Sequence, residues 1–229
     1  MTPRYTIPDL LEQADITKNA DIRETVLPYI RSQIEALEVY DAQRPQGHPY
    51  EFHLHSERMA GNLRDFALFL GWSESIADTL YWASLPHDIG KMALPPEIWD
   101  MEDKPTPEQK TVRRSHVTEG LAIIRGTFPA NMLALPFMQI LLDIMENHHE
   151  TLDGTGFFGK KRGDLDLIVR MACICDAFDG WSVHRPHFGV RDISPDAVIG
   201  RMETEKKGQF DAELLSLFRI MKCGTPAHS

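Results

Sequence analysis

Apolar residues recur every three to four positions along most of this chain, the spacing that turns one face of an α-helix toward a core. Between residues 52 and 70 the stripe runs Phe52, Met59, Leu63, Phe66 and Leu70, with His55 standing where another apolar residue would fit. No segment shows the period of two that a half-buried strand needs. Proline punctuates the pattern. Pro8, Pro28, Pro49, Pro107, Pro136 and Pro195 each stand at or near the start of an apolar-periodic stretch, where a residue without an N–H suits the first helical turn. Thr106-Pro107-Glu108-Gln109 predicts a capping box, and Ser194-Pro195-Asp196 and Asp211-Ala212-Glu213 predict two further helix starts. The pattern predicts helices over 8–14, 20–43, 50–70, 74–86, 107–126, 131–149, 166–182, 195–206 and 212–222. Irregular segments are expected over 92–105, 150–165 and 183–193. The expected fold class is therefore all-α, with a boundary at Arg44-Pro45-Gln46-Gly47-His48-Pro49. It separates an N-terminal helical extension, residues 1–47, from a helical bundle, residues 48–229.

Composition narrows the function classes. At 229 residues and 42% hydrophobic the chain can bury a real core. The longest apolar run, Met132 to Met145, is interrupted by Pro136 and Gln139 and is shorter than a bilayer needs, so no membrane association is expected. The first residues lack the apolar core of a secretory signal. The three cysteines, an odd number without disulfide spacing, suit a reducing compartment. The expected location is cytoplasmic. Cys173 and Cys175, two apart on an apolar helix, point to nearly opposite faces and read as packing rather than as a ligand pair. A formal net charge of -10 argues against a nucleic-acid-binding surface. It leaves room for a small phosphorylated substrate, because bound metal ions invert the local field.

Ten histidines are present, and their placement matters more than their number. His55 faces inward with Glu51 one turn before it, whereas His53 lies off that face and reads as solvated. His87-Asp88 follows an apolar helix broken by Pro86. Its imidazole offers one nitrogen ligand and its carboxylate a bridge between two metals. Lys91, three residues on, is placed to put a cation beside a phosphate. His116 precedes Gly120 by one turn, and a glycine there lets another backbone come close. His148-His149 closes an apolar helix, and two adjacent imidazoles, diverging by about 100° on a helix, serve two ions better than one. The loop Asp153 to Gly163 has four glycines and lacks the Walker spacing. Asp176 sits in an apolar helix and needs a partner, whether a metal, Arg170 or Arg185. Taken singly, each has an ordinary explanation: a hydrogen-bonded core histidine, a helix-end His-Asp contact, a surface histidine, a dipole-facing pair, a plain connection.

In order, Glu51-x-x-x-His55, His87-Asp88-Ile89-Gly90-Lys91, His116-x-x-x-Gly120, His148-His149-Glu150-x-x-Asp153-Gly154-x-Gly156 and Asp176-Ala177-Phe178-Asp179, followed by Arg185-Pro186, resemble the HD superfamily and, more narrowly, its HD-GYP branch. Gly208-Gln209-Phe210-Asp211 is similar to that branch's last helix start, so the likeness covers about residues 48–222. It implies an HD-domain helical bundle holding two or three divalent metal ions, iron or alternatively manganese, and hydrolysis of cyclic di-GMP, a bacterial second messenger. Carried over by position, His55, His87, Asp88, His116, His148, His149 and Asp176 are the implied metal ligands, with Glu51 added where a third ion is held. Asp88 and Lys91 are the implied catalytic residues, and Lys91, Arg185, Asp153 and Asp179 the implied substrate contacts. The family's Gly-Tyr-Pro stands here as Gly156-Phe157-Phe158, and His187-Phe188-Gly189 follows Arg185-Pro186. The rival readings are another nucleotide or phosphomonoester as substrate, and a cyclic-dinucleotide receptor that binds without cleaving. The expected partner is a small cyclic nucleotide, with a homodimer or a regulatory protein left open. Residues 1–47 are too few for a usual sensory module.

Overall fold

The computed structural model describes residues 5–44, 50–100, 104–183 and 190–224. Every regular element among them is helical, as the periodicity requires. Contacts divide the chain into two compact units, Met1–Glu146 and Asn147–Ser229. Residues 45–49, where the sequence suggests a boundary, lie outside the described residues, and the extension falls within the first unit.

The first unit carries α1 (Asp9–Gln13), α2 (Leu27–Ala42), α3 (Phe52–Phe69), α4 (Glu74–Ser84), α5 (Pro107–Arg114), α6 (His116–Thr127), α7 (Ala130–Leu133) and α8 (Pro136–Asn147), whose last residue opens the second unit. The stripe read from the sequence is the buried face of α3: Phe52, His55, Met59, Leu63 and Phe66 are each at most 2% exposed. α3 and α4 form a helical hairpin turned at Gly71, whose φ of 87° needs glycine. Gly71 N–H donates to Leu68 O and Trp72 N–H to Ala67 O, closing the end of α3. Arg64 then bonds Asp78 across the pair at 2.6 Å. The N-terminal segment is bolted to this hairpin. Asp15 caps the turn at Thr17 and accepts from Ser75 Oγ, and Ile16 N–H donates to Thr79 Oγ1 at 3.1 Å.

Three predicted helices are interrupted, each for a local reason. The stretch over 20–43 opens as π-helical turns, Ile22–Val26, before α2 begins. Pro28 donates no N–H and its ring crowds the carbonyl four residues earlier, which widens the preceding turn. The helix predicted over 107–126 breaks at Ser115, whose N–H and Oγ both turn back to Val112 O. α5 buries no residue, whereas α6 buries His116, Val117, Gly120, Leu121 and Ile124. His116 therefore opens a helix instead of standing inside one. The stretch over 131–149 divides at Pro136, and α8 ends at Asn147, leaving His148 and His149 beyond its last turn. The predicted capping box at Thr106 and Gln109 is formed.

The second unit carries α9 (Leu167–Trp181), α10 (Pro195–Glu205) and α11 (Ala212–Cys223). α9 buries eleven of its fifteen residues, as a helix apolar on all sides must. Phe178 on α9 meets Phe218 on α11 edge to face, centroids 5.1 Å apart. Asp211 caps α11 through Glu213 and Leu214 N–H and binds Arg170 of α9 at 2.6 Å. Among the described residues no helix is long and apolar enough to cross a membrane.

Candidate metal centre

In the first unit, α3 carries His55 into the core at 1% exposure. α4 stops at Ser84 because Pro86 cannot continue it, and the next turn brings His87 and Asp88 inward, both fully buried. His87 Nδ1 sits 3.0 Å from Ser84 O, which fixes its proton there and turns Nε2, with its lone pair, inward. His116 repeats the device, with Nδ1 2.6 Å from Arg113 O. His87 Nε2 lies 3.3 Å from His55 Nε2, and each is 3.4 Å from Asp88 Oδ2. The other carboxylate oxygen, Oδ1, lies 3.2 Å from His116 Nε2. One carboxylate thus faces two imidazoles with one oxygen and a third imidazole with the other.

That arrangement fits metal ions. Buried imidazole nitrogens and carboxylate oxygens aimed at common points form a transition-metal donor set, and a carboxylate turned two ways is what joining two ions requires. Two glycines set the approach of the elements that carry it. A Cβ on Gly90 would lie 1.9 Å from His116 O and 2.3 Å from Gly120 N, so the turn after Asp88 can sit on α6 only with glycine at 90; a Cβ on Gly120 would meet Gly90 N at 3.3 Å. Lys91 is buried and its ammonium pairs with Asp88.

In the second unit, His148 and His149 rings stand 4.0 Å apart, and His149 Nδ1 is 3.3 Å from Asp176 Oδ2. Arg170, the rival partner named for Asp176, is bound to Asp211 instead. Glu150 is 2% exposed and its carboxylate accepts from Phe158 N–H at 2.6 Å and Lys160 N–H at 2.8 Å. A Cβ on Gly156 would lie 2.6 Å from Glu150 Cα and 2.8 Å from His149 O. The loop after the histidine pair is therefore clamped onto the residues that precede it. Phe157 stacks at a tilt on His149, centroids 4.5 Å apart.

The remaining sequence-level candidates fall as follows. Glu51 is exposed, and its carbonyl accepts from His55 N–H. Asp153 is exposed and its carboxylate braces the loop, accepting from Thr151 Oγ1, Thr155 Oγ1 and Thr155 N–H; those bonds hold its pKa below the usual value. Asp179 is buried on α9, one turn beyond Asp176. Arg185 lies outside the described residues. His53, read as solvated, has its Nδ1 2.8 Å from Asp41 Oδ2, because α2 brings that carboxylate to the start of α3. Cys173 donates to Asn147 O, and burial, aided by the charges of Asp176 and Glu150, pushes its thiol well above the ordinary range. It stays protonated, in keeping with packing. Sequence reasoning missed Glu150 as the loop's anchor. It also missed the rings of Tyr50, Phe52 and Trp99 gathered around Lys91, at 5.6, 4.4 and 5.6 Å from its Nζ. A charged residue between a histidine pair and a glycine-rich loop was the available signal for the first.

The chain is also similar to known proteins. A family model described as HD domain matches residues 46–214. The 3'3'-cGAMP-specific phosphodiesterase 2 of Vibrio cholerae is 28% identical over 205 residues, covering 89% of this chain and 36% of the relative. A cyclic di-GMP phosphodiesterase of Pseudomonas aeruginosa is 31% identical over 137 residues, 59% of this chain and 31% of the relative. The chain thus spans about a third of the length of these curated relatives. Among solved structures, an HDG"Y"P protein from Bdellovibrio bacteriovorus superposes with a TM-score of 0.59 at 19% identity, covering 92% of this chain and 66% of that one. At that identity the likeness shows the fold.

Proposed function

The chain belongs to the HD domain family, and on that premise we propose that it falls in the HD-GYP branch and is a metal-dependent phosphodiesterase acting on a cyclic dinucleotide. The observation that carries the reading is Asp88, whose two oxygens face His55 and His87 on one side and His116 on the other. The proposed ligands are His55, His87, Asp88, His116, His148, His149 and Asp176. The imidazoles of this donor set suit iron, and its carboxylates, Asp88 and Asp176, admit manganese in its place. Two ions are proposed rather than three, because Glu51 is exposed. Divalent ions held there would lower the pKa of water and neutralise the charge building on phosphate during in-line displacement.

The chain's own residues supply the rest. The backbone carbonyls of Ser84 and Arg113 hold His87 and His116 in the tautomer that presents Nε2. Lys91 provides a fixed cation beside Asp88, suited to a non-bridging phosphate oxygen. The substrate proposed is cyclic di-GMP. A second reading, 3'3'-cGAMP, is favoured by the relative named for it, which covers 89% of this chain. Anaerobically purified, manganese-loaded protein should convert cyclic di-GMP to linear dinucleotide or GMP, read by chromatography beside 3'3'-cGAMP and linear dinucleotide controls. Turnover of cGAMP alone would transfer the substrate to the second reading. Metal uptake with turnover of neither would overturn the phosphodiesterase reading in favour of a receptor or another substrate.

A further inference from the structure

The metal-binding residues of the first unit are enclosed by three aromatic rings, and a buried arginine from the end of α2 grips those rings. Phe52 stands edge to face with Tyr50 and with Trp99, centroids 5.7 and 5.3 Å apart. Each ring lies against Lys91, and two of them also meet a histidine. Tyr50 lies against His55 at 5.1 Å, Trp99 against His116 at 6.1 Å, and Phe52 under the ammonium of Lys91 at 4.4 Å. Lys91 in turn pairs with Asp88.

Arg44 holds this collar. Its guanidinium lies 3.9 Å from the Phe52 centroid, and its side chain is 3% exposed. It donates to both oxygens of Asp100, next to Trp99, to Asp41 Oδ1 at 2.8 Å, and to Tyr50 O at 2.9 Å. One planar cation thus bonds the carbonyl of Tyr50, the neighbour of Trp99 and the face of Phe52. A buried guanidinium fixed by two carboxylates moves little, and rings packed on it inherit that rigidity. Arg44 lies outside residues 46–214, the stretch matched by the family model.

We infer that Arg44 is a positioning residue for the metal centre, acting through the Tyr50–Phe52–Trp99 collar to hold His55, His116 and the Lys91–Asp88 pair in register. The inference rests on the metal reading proposed above and extends it to the end of α2. Removing the partners that orient metal ligands weakens metal binding by about 10- to 100-fold, so a loosened collar should act at the lower end of that range.

The test is Mn²⁺ affinity, measured without turnover by the electron paramagnetic resonance of free ion during titration. The proteins are full-length wild type, Phe52→Leu, Arg44→Lys and, as a core control on α2, Ile30→Ala. Phe52→Leu keeps apolar bulk and removes the ring face; Arg44→Lys keeps the charge and removes the fork. Circular dichroism identifies which variants fold, and either collar variant suffices. We expect Mn²⁺ binding about tenfold weaker in the collar variants and unchanged in Ile30→Ala. Folded collar variants with wild-type affinity would overturn the inference and leave the metal reading standing. A wild-type chain that binds neither Mn²⁺ nor, under anaerobic conditions, Fe²⁺ would overturn the metal reading itself. Equal weakening in Ile30→Ala would reduce Arg44 to general stability and also sink the inference.

Discussion

Glu150 shows how one residue does what its neighbours' chemistry does not reveal. Its carboxylate takes the N–H groups of Phe158 and Lys160, and Gly156 packs where any side chain would strike Glu150 and His149. Glu150→Gln keeps the shape but has one acceptor oxygen where two are needed. Charge-assisted bonds of this kind contribute about 1.5–3 kcal/mol. The amides of Phe158 and Lys160 should therefore exchange with solvent about tenfold faster or more in that variant, by hydrogen–deuterium exchange. Unchanged protection would remove Glu150 from the loop's support. Gly156→Ala should cost about 1–3 kcal/mol through overpacking, read as a lower unfolding midpoint in urea. At this scale the sequence was informative where identity alone names a chemistry. His55, His87, Asp88, His116 and the His148-His149 pair were picked out by type and order, and the first four are brought together around the Asp88 carboxylate. Glu150 and Arg44 were not, since what they do depends on which backbone groups and rings folding brings to them.

Between residues and the molecule lie the helices, whose starts were more legible than their breaks. Thr106 and Asp211 cap helices at the positions their side chains announce, and α10 starts after Ser194 without a cap bond from that side chain. The break at Ser115 was hidden because 107–126 keeps a helical polarity throughout. The kink answers a tertiary demand, the seating of Gly120 against Gly90, which local pattern does not carry. Asp15 gives this scale a pH prediction. Burial alone would raise its carboxyl, but bonds from the Thr17 side chain and backbone and from Ser75 outweigh that and lower it below the usual 3.8. A carboxyl lowered on folding adds stability above its unfolded value and loses it as pH falls through the folded one. Asp15→Ala should therefore melt lower at neutral pH, at a cost of about 1 kcal/mol. The gap to wild type should close below pH 4. A gap that is constant with pH would mean the carboxylate's charge is not what holds the turn.

For the whole molecule, apolar periodicity pointed to a helical protein, composition to a buried core and the ordered motifs to a family; the structure and the family match agree. The division into Met1–Glu146 and Asn147–Ser229 was not legible, since it falls at the end of α8, inside a continuous apolar helix. Ions that bind the native state and not the unfolded chain stabilise it by mass action. Manganese should therefore raise the unfolding temperature of the wild type, and chelation should reverse the shift. Because Glu51 is exposed, Glu51→Gln should bind two ions per chain, like the wild type, by elemental analysis; a loss of one ion would restore the third-metal reading.

The central proposal is that Asp88 would hold the ions of a phosphodiesterase centre, and one comparison tests it most directly. Wild type and Asp88→Ala are purified anaerobically, supplied with manganese, and followed by chromatography for cyclic di-GMP hydrolysis, with metal content determined on the same samples. The account predicts about two ions per chain and linear product for the wild type, and loss of both in the variant. An Asp88→Ala protein that keeps its metal and its turnover would contradict it.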